Sequence, residues 1–376
     1  MSRMKTFRNL QPRGRTRLRV AAVLAAAVAI LIPQASALAQ STYTIKDLGT
    51  LPGATSCAAY ALSILGEVAG SCTGQDSAFD EVAFSWRDGV MINLGKLSKA
   101  HYSRAEGINA RGQMVGEGDT GDFRPHPTLY RDGTVIDIDA SGGNARGIFI
   151  TDTGVIVGNY SKGFGNVSSW SAVIWKERPT QPGRFDRLSL QPYPGGDSKV
   201  RYGYATAANN NVQVVGWVQN SLFGQMGAFW NNDANHTLAL LQPLPGDWTS
   251  IAWGMNDMGQ AVGESHPPFH SRAVQWSNDA AHTPIELGMI PGDTDSTAMA
   301  LNNLGQIVGT SSVPNVLTHP VLWDSGAVFD LNAVLDDSGI GWVIAEATAI
   351  NNAGQIAGFG FHNGQFAAFL MAPVAQ

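Results

Sequence analysis

The chain has 376 residues and a formal net charge of −6 at pH 7, with 14% charged residues and 43 glycines. This length suits two ordinary domains or one repeat array that needs no central core. An acidic body repels phosphate backbones, so the composition argues against nucleic-acid binding. Many glycines and few charges are typical of short strands joined by turns.

The first forty residues differ from the rest. Seven basic residues and no acid precede an apolar run from Val20 to Ile32, and the stretch ends at Ala37–Ala39. This order predicts a secretory signal peptide over residues 1–39 and a secreted or periplasmic mature protein that begins at Gln40. Its removal would shift the net charge from −6 to −13 because the seven cations leave with it.

A retained N-terminal anchor is the alternative for this segment. However, the apolar run is shorter than the roughly twenty residues that a helix needs to span a bilayer. We therefore expect no transmembrane segment in the mature chain, and we expect a monomer.

A nine-residue pattern recurs along residues 40–376, for example as "LNNLGQIVG" and "INNAGQIAG". Its first and last copies end at Gly70 and Gly358, six periods apart, which gives a mean period of 48 residues. Such periods, combined with alternating apolar residues, indicate four-stranded propeller blades rather than helical repeats. The seven aligned glycines are Gly70, Gly116, Gly158, Gly216, Gly263, Gly309 and Gly358.

The pattern itself predicts a hairpin turn. Asn at the first turn position, as in Asn302, can bond the backbone two residues further on, and Gly at the fourth, as in Gly305, supplies a left-handed conformation. Ser63 and Thr151 replace Asn by a hydroxyl in two copies. Asn209–Val212 departs from the rule, and there we expect a tighter turn at Asn210 and Asn211.

Each unit continues with a short strand that ends in an aromatic residue or Leu, and then with a strand of the "DLG" kind. The last unit has no fourth strand, whereas "TIKDLG" at residues 44–49 stands before the first unit. This circular offset predicts an all-β, seven-bladed β-propeller of four-stranded blades, with the N-terminal strand closing the last blade as three strands plus one. A barrel or a right-handed β-helix gives no reason for the offset. We expect the aromatic residues to pack between blades.

Cys57 and Cys72 lie on the two strands of the first hairpin, six residues on either side of its turn. In an exported protein this placement predicts a disulfide. Two isolated small core residues are the alternative.

The repeated "PGD…S-x-A…IN-x-x-GQ-x-VG…AFLW…DLG" pattern resembles the HAF-repeat family of probable extracellular bacterial proteins. The resemblance covers residues 44–371 and is sharpest at Leu287–Gly309 and Leu241–Gly263. The His of the family's His-Ala-Phe is lost in most copies, as in Gly227–Phe229. The resemblance implies an exported, propeller-like repeat protein, and it implies no catalytic residues.

Strand order predicts that the tight connections lie on one face of the propeller and the long connections, from strand two to three and from strand four to the next blade, on the other. Variable loops on a rigid scaffold usually carry binding. We therefore predict binding residues on this long-loop face. They are Tyr193, Asp197, Lys199, Arg201, Tyr202, Asp247, Glu264, His266, Asp293 and Asp295, with His270 nearby.

No sequence motif of a metalloprotease, serine hydrolase or nucleotide-binding loop is present. Asp293 and Asp295 could contribute to a calcium site, but two carboxylates fall short of the oxygens that calcium requires, and we expect no cofactor. Pro-Gly-Asp is also good turn chemistry, which is the structural alternative for the aspartates. "ESHPPFH" at Glu264–His270 has zinc-ligand residue types, although its two prolines favour a solvated turn.

Two function classes remain open. The first is a non-enzymatic exported protein that binds a glycan, a peptide or a surface protein through the long-loop face. The second is a propeller hydrolase or lyase that acts on extracellular polysaccharide. A cluster of carboxylates with a basic residue at the channel would favour the second, and an aromatic, polar rim would favour the first. Self-association into a surface structure would need an exposed apolar patch.

Overall fold

A computed structural model describes residues 42–74, 80–162, 170–193, 202–220, 224–314 and 317–374. The predicted signal peptide, residues 1–39, lies outside this range. The described residues form twenty-eight strands and one 3-10 turn, Asp337–Gly339. None of their helical segments is long and apolar enough to cross a membrane.

The strands form seven four-stranded antiparallel sheets, the blades. The chain begins with β1 (Tyr43–Asp47). Blade 1 contains β2 (Ala54–Leu62), β3 (Val68–Gly74), β4 (Glu81–Arg87) and β5 (Val90–Gly95). Blade 2 contains β6 (Ser103–Ile108), β7 (Met114–Gly118), β8 (His126–Arg131) and β9 (Thr134–Asp137). Blade 3 contains β10 (Asn144–Ile150), β11 (Ile156–Ser161), β12 (Trp170–Arg178) and β13 (Gln181–Ser189). Blade 4 contains β14 (Tyr202–Ala208), β15 (Val214–Asn220), β16 (Gly224–Trp230) and β17 (Leu238–Leu241). Blade 5 contains β18 (Thr249–Met255), β19 (Ala261–His266), β20 (Arg272–Trp276) and β21 (Pro284–Glu286). Blade 6 contains β22 (Asp295–Leu301), β23 (Ile307–Val313), β24 (Leu317–Asp324) and β25 (Ala327–Asp330). Blade 7 contains β26 (Trp342–Ile350), β27 (Ile356–His362) and β28 (Gln365–Pro373), together with β1.

The predicted closure of the ring is confirmed. β1 pairs antiparallel with β28, so that Tyr43 lies opposite Pro373 and Asp47 opposite Phe369. The first strand of every blade also contacts the first strands of both neighbouring blades. The seven first strands therefore surround a common axis, and the chain is the expected seven-bladed β-propeller.

Each first strand carries a β-bulge opposite the second glycine of the repeat. In blade 6 the pairing register shifts between Ala298 and Ala300, and Ala298 lies opposite Gly309. A Cβ on Gly309 would lie 2.1 Å from the carbonyl oxygen of Thr297. The same close approach of 1.9–2.1 Å occurs at the other six glycines of the repeat. Only glycine fits against the bulge, which explains why this residue recurs.

In five of the seven blades the repeated Asn makes four hydrogen bonds and links its blade to the next. Oδ1 of Asn302 accepts the N–H groups of Leu304 and Gln306, which shapes its own turn. Nδ2 donates to Oε1 of Gln306 at 2.7 Å and to the carbonyl oxygen of Asn351 in the next blade at 2.9 Å. The residue is 3% exposed, and its bond to the next blade is fully buried. Asn109, Asn209, Asn256 and Asn351 repeat this arrangement.

A second ring of bonds follows at the next turn position. The N–H of Asn210 donates to Oδ1 of Asp257, the N–H of Asp257 to Oδ1 of Asn303, and so on from blade 2 to blade 7. The ring is interrupted at blade 1, since Ile64 has no side-chain acceptor. The turns are thus predicted correctly as turns, but their recurrence also reflects bonding between blades, which the sequence analysis did not foresee.

The prediction of a tighter turn in blade 4 is wrong. The N–H of Val212 donates to the carbonyl oxygen of Asn209 at 2.9 Å, as the glycine does in the other copies. Val212 accordingly adopts a φ of 57°, a strained conformation for a β-branched residue. The bonds of Asn209 to Gln213 and to the next blade hold the chain in the common turn.

Aromatic residues of the third strands pack between blades, as expected. Trp175, Trp230 and Trp276 are each at most 1% exposed. The indole N–H of Trp230 donates to the carbonyl oxygen of Gln191, at the end of blade 3. Burial of such large side chains supplies much of the apolar stabilisation between blades.

The predicted disulfide between Cys57 and Cys72 is present, and the two residues lie directly opposite each other in the first hairpin. The antiparallel order also places the connections on two faces as expected. Three connections from strand two to strand three are not long, however: three residues join β15 to β16 and β23 to β24, and two residues join β27 to β28. In blade 7 the turn from strand two to strand three has only Asn363 and Gly364, both with positive φ.

Replacing Asn302 by Asp should destabilise the fold by roughly 2–4 kcal/mol, because a carboxylate loses both N–H donors and brings a charge beside two buried oxygens. Urea denaturation followed by tryptophan fluorescence measures this change. Asn352→Asp is the matched control, since the described residues use only its Oδ1 and blades 3 and 5 already carry Asp152 and Asp257 there. Equal losses in both variants would contradict a role for the amide.

Candidate functional site

Side chains on the first strands alternate between two environments. Ala105, Ala145 and Ala205 are at most 1% exposed and pack between blades. Their neighbours on the strand are partly exposed, and because these strands surround the axis, the exposed positions open into the central channel. In blades 2 and 3 the residues at this position are Arg104 and Arg146, whose side chains are 39% and 38% exposed.

The two arginines belong to a chain of alternating charges that spans three blades. Nε of Arg104 donates to Oε2 of Glu81 in blade 1 at 2.7 Å, and its Nη1 lies 3.8 Å from Oε1 of Glu117. Nε of Arg146 lies 2.8 Å from Oε2 of the same Glu117. Ser71 donates a short hydrogen bond to the other oxygen of Glu81. The carboxylates are buried, and the guanidinium groups lie toward the channel.

The pair of Glu117 and Arg146 is not fully satisfied. The N–H of Arg146 Nε does not point at Glu117 Oε2, so the two atoms attract as charges without forming a hydrogen bond. Both atoms are buried, and neither has another hydrogen-bond partner among the described residues. An incompletely bonded buried ion pair is costly in a purely structural role, and such pairs concentrate at functional sites.

Glu106 is the extra residue of the blade 2 bulge, between Ala105 and Gly107. Burial and then the negative charge of Glu117 raise its pKa to about 8, against the opposing effect of Arg146 and Arg104. Burial also raises the pKa of Glu117. At neutral pH, Glu106 is therefore mainly protonated, and it offers an O–H donor instead of a second charge.

An aromatic wall adjoins Arg146. In blade 4 Tyr204 takes the place of the two arginines, and its ring stacks on Trp217 with centroids 5.6 Å apart and planes 13° apart. Trp170 meets the edge of Tyr204 at 6.0 Å. The guanidinium carbon of Arg146 lies 5.8 Å from the centre of the Trp170 ring. Burial raises the pKa of the Tyr204 hydroxyl, so it remains a donor.

Glu264 forms a separate polar group on blade 5. It accepts from the indole N–H of Trp253 at 3.1 Å and from the hydroxyl of Thr297 at 2.8 Å, and Nε2 of His266 lies 3.6 Å away. Burial alone would raise the pKa of Glu264, but His266, Thr297 and Trp253 outweigh it and lower the pKa. This carboxylate is held ionised by its neighbours.

The aspartates of the Pro-Gly-Asp loops are engaged inside the protein. Asp247 accepts from the hydroxyl of Ser265 and, at 2.6 Å, from Nη2 of Arg272. Asp293 accepts from the hydroxyl of Ser311 at 2.6 Å and contacts His319 Nδ1 at 2.9 Å. Their side chains are 2% and 4% exposed. Both carboxylates hold their loop against the following strands by these contacts. Their predicted role in binding stays a prediction.

The remaining predicted residues are dispersed. Asp295 accepts from the N–H of Ser271 and contacts His270 Nδ1 at 3.2 Å. Tyr193 packs on the core between blades 3 and 4, and Tyr202 begins β14 and is half-buried. Asp197, Lys199 and Arg201 lie outside the described residues.

Metal binding receives no support from the described part of the chain, where no three His, Cys, Asp or Glu side chains are grouped so as to hold an ion. Asp293 and Asp295, suggested above for calcium, each bind protein donors of their own. His266 and His270 likewise have separate partners, Thr249 and Asp295.

A cavity of about 210 Å³ opens at the axis on the face of the tight turns. Its wall consists of the turn residues of all seven blades, including Asn109, Asp152 and Asn302. Since these side chains form the bonds between blades, the cavity belongs to the closure of the ring.

The charged cluster was not predicted from the sequence. One signal was present, because the first strands of blades 2 and 3 read "SRAEGI" and "NARGIFI" where other copies have mainly small or apolar residues. Charged residues at the crowded axis of a propeller are departures from the repeat that packing does not require. The contacts that these residues make across blades could not be deduced from a single copy of the repeat.

No family model matches the sequence. No curated protein matches it either. Among solved structures, the chain is similar to the β-propeller domain of the Trilobed protease from Pyrococcus furiosus, with a TM-score of 0.51 and 9% identity over 85% of this chain and 94% of that chain. It is also similar to a puromycin hydrolase, with a TM-score of 0.50 and 12% identity over 86% of this chain and 52% of that chain. The chain thus spans about half of that hydrolase, and both likenesses support the fold alone.

Stability should fall as pH rises from about 4.5 to about 8, because the folded protein retains the Glu106 proton that the unfolded chain releases. The contribution of one proton is at most about 1.4 kcal/mol per pH unit. Glu106→Gln should flatten this fall, as measured by urea denaturation across the range. The titratable or charged groups that interact with Glu106 are Glu117, Arg146, Arg104, Glu81, Tyr60, Tyr130 and Tyr204.

The control for this measurement is Glu286→Gln, which changes a 44% exposed carboxylate on the outer strand of blade 5. This variant should keep the pH dependence of the unmodified protein. An unchanged slope in Glu106→Gln would show that the Glu106 proton is not retained on folding.

Proposed function

We propose that this protein is an exported, non-enzymatic carbohydrate-binding β-propeller of the HAF-repeat type. Its ligand enters the central channel from the long-loop face. The observation that carries the proposal is the wall of Trp170, Tyr204 and Trp217 beside the partly exposed guanidinium of Arg146.

Sugars combine flat C–H faces with rims of hydroxyl groups. Aromatic rings cover the C–H faces, while planar polar side chains bind pairs of hydroxyls, and pockets for small ligands typically combine these two elements. Tyr204 and Trp217 provide the first element, and Arg104, Arg146 and Glu106 provide the second. All of them lie on or beside strands of the ring, so the scaffold holds them in place before a ligand binds.

Export rests on the N-terminal sequence. The disulfide between Cys57 and Cys72 is compatible with an oxidising compartment, where such bonds persist. The long-loop face stays part of the proposal as the entrance to the channel, because the first strands begin there.

Trp217→Ala should weaken glycan binding at least about tenfold, since it removes one face of the aromatic wall. A glycan array of the mature chain identifies the ligand, and titration calorimetry gives the affinity. Trp217→Phe should retain most of the binding, which separates a role in stacking from loss of folding.

The matched control is Trp248→Ala. Trp248 is 70% exposed on the loop before blade 5 and has no contact with the aromatic wall among the described ring contacts. Loss of binding in Trp248→Ala but not in Trp217→Ala would move the site to the rim of the long-loop face. An array without any binding would contradict the proposal as a whole.

Glu106 and Glu117 favour one alternative function, a hydrolase or lyase acting on extracellular polysaccharide. Two neighbouring carboxyl groups that share one proton can act as general acid and general base in hydrolysis. Glu106 would give its proton to the glycosidic oxygen as the bond to the anomeric carbon breaks. Glu117 would take a proton from the water that attacks this carbon.

Incubation with a panel of polysaccharides tests this alternative. An enzyme should release reducing ends, and Glu106→Gln should lower the rate by about 100-fold or more. Glu286→Gln should leave the rate unchanged. Absence of any released product across the panel would rule the alternative out in favour of binding alone.

A further inference from the structure

The channel cluster contains more hydrogen-bond donors than its own acceptors can use. Each guanidinium group has five N–H donors, and the described contacts occupy Nε of Arg104 and place Nε of Arg146 at Glu117. The carboxylate oxygens of Glu81 and Glu117 already face these arginines and Ser71. Both side chains are partly exposed, so a complementary ligand is one that is rich in acceptors.

The charges lead to the same conclusion. Glu81 and Glu117 offset Arg104 and Arg146, and Glu106 in its protonated form adds another donor without a negative charge. The cluster therefore does not repel an anion as strongly as its three carboxyl groups suggest. The chain as a whole is acidic, with a net charge of −6, so attraction must come from contact with the arginines and not from the distant field.

The two arginines converge on one place. They occupy equivalent positions on the adjacent strands β6 and β10, and both approach Glu117, at 3.8 Å from Arg104 and 2.8 Å from Arg146. Their exposed ends can thus reach a common group in the channel. The planar fork of a guanidinium matches the two oxygens of a carboxylate, with which it forms paired, charge-assisted hydrogen bonds.

We propose that the ligand is a glycan that contains a uronic acid, and that Arg104 and Arg146 hold its carboxylate while the sugar ring lies against Trp170 and Tyr204. A uronic acid carries its carboxylate at the edge of a ring with flat C–H faces. The placement of Arg146, 5.8 Å from the centre of the Trp170 ring, fits this combination of an edge charge and a face. The inference rests on the glycan-binding function proposed above.

The test uses oligosaccharides of galacturonate, glucuronate and mannuronate, each paired with its carboxyl-reduced counterpart, and titration calorimetry with the full mature chain. At least one acidic oligosaccharide should bind roughly 10- to 100-fold more tightly than its reduced partner, as expected for a paired bond to a charged group. A sulfated galactan serves as a second anion, which should bind more weakly than the uronate.

The decisive variant is the double substitution Arg146→Gln with Glu117→Gln. Removing Arg146 alone would leave Glu117 buried without its main cation, whereas the pair of changes keeps the net charge of the site unchanged. The preference for the acid over its reduced partner should disappear in this variant. Arg104→Lys, which keeps the charge but loses the fork, should reduce the preference.

Arg178→Gln is the matched control, since Arg178 pairs with Asp186 on the outer strands of blade 3, away from the channel. It should retain the preference for the acid. Thermal unfolding of all variants identifies any that fail to fold, in which case Arg104→Lys alone decides the outcome.

The outcomes separate the two proposals. If reduced oligosaccharides bind as well as the acids, or if the sulfated galactan binds as tightly as the uronates, the uronic acid inference is wrong while glycan binding stands. If neither the acids nor any neutral glycan binds, the glycan-binding function itself is wrong and the inference is lost with it.

Discussion

The side-chain amide of an Asn found in five of the seven repeats is the contact on which the ring depends. It joins its own turn to Gln four residues later and to a backbone carbonyl of the next blade, as Asn302 joins Gln306 and Asn351. Carboxylates cannot donate, and hydroxyls are too short to make all four bonds. Ser63 and Thr151 accordingly shape their own turns but send no bond to the next blade. A buried amide that is fully bonded fixes both the turn and its place in the ring.

Because the Asn fixes the turn and the contact between blades, residues at other positions of the repeat can vary. The glycine opposite each bulge and the aromatic residue of each third strand are set by packing, as at Gly309 and Trp276. The partly exposed positions of the first strands are not constrained by packing in this way. Blades 2 and 3 use them for Arg104 and Arg146, and blade 4 uses them for Tyr204. Function is therefore expected at the axial positions where the residues of one blade differ from those of the other blades. In blades 2 to 4 these positions combine charged side chains with an aromatic wall.

One prediction failed because the bonds of the whole turn outweighed the preference of a single residue. Val212 was expected to change its turn, since β-branched residues avoid positive φ. The structure keeps the common turn, because the bonds of Asn209 to Gln213 and to Asn256 outweigh the strain of one residue. Asp247 and Asp293 of the Pro-Gly-Asp loops are buried by partners from the neighbouring strands, and their role in binding stays a prediction.

The sequence by itself determined the blade, the number of blades, the closure by the N-terminal strand and the disulfide. These features follow from a period of 48 residues, from turn chemistry and from hairpin register, all of which are local or repeated. Only the tertiary structure decided which side chains meet at the axis. Glu81, Glu117 and Arg146 come from three blades, and their approach depends on the curvature of the whole ring. The pKa of Glu106 depends on that meeting too, since burial and a neighbour from another strand raise it.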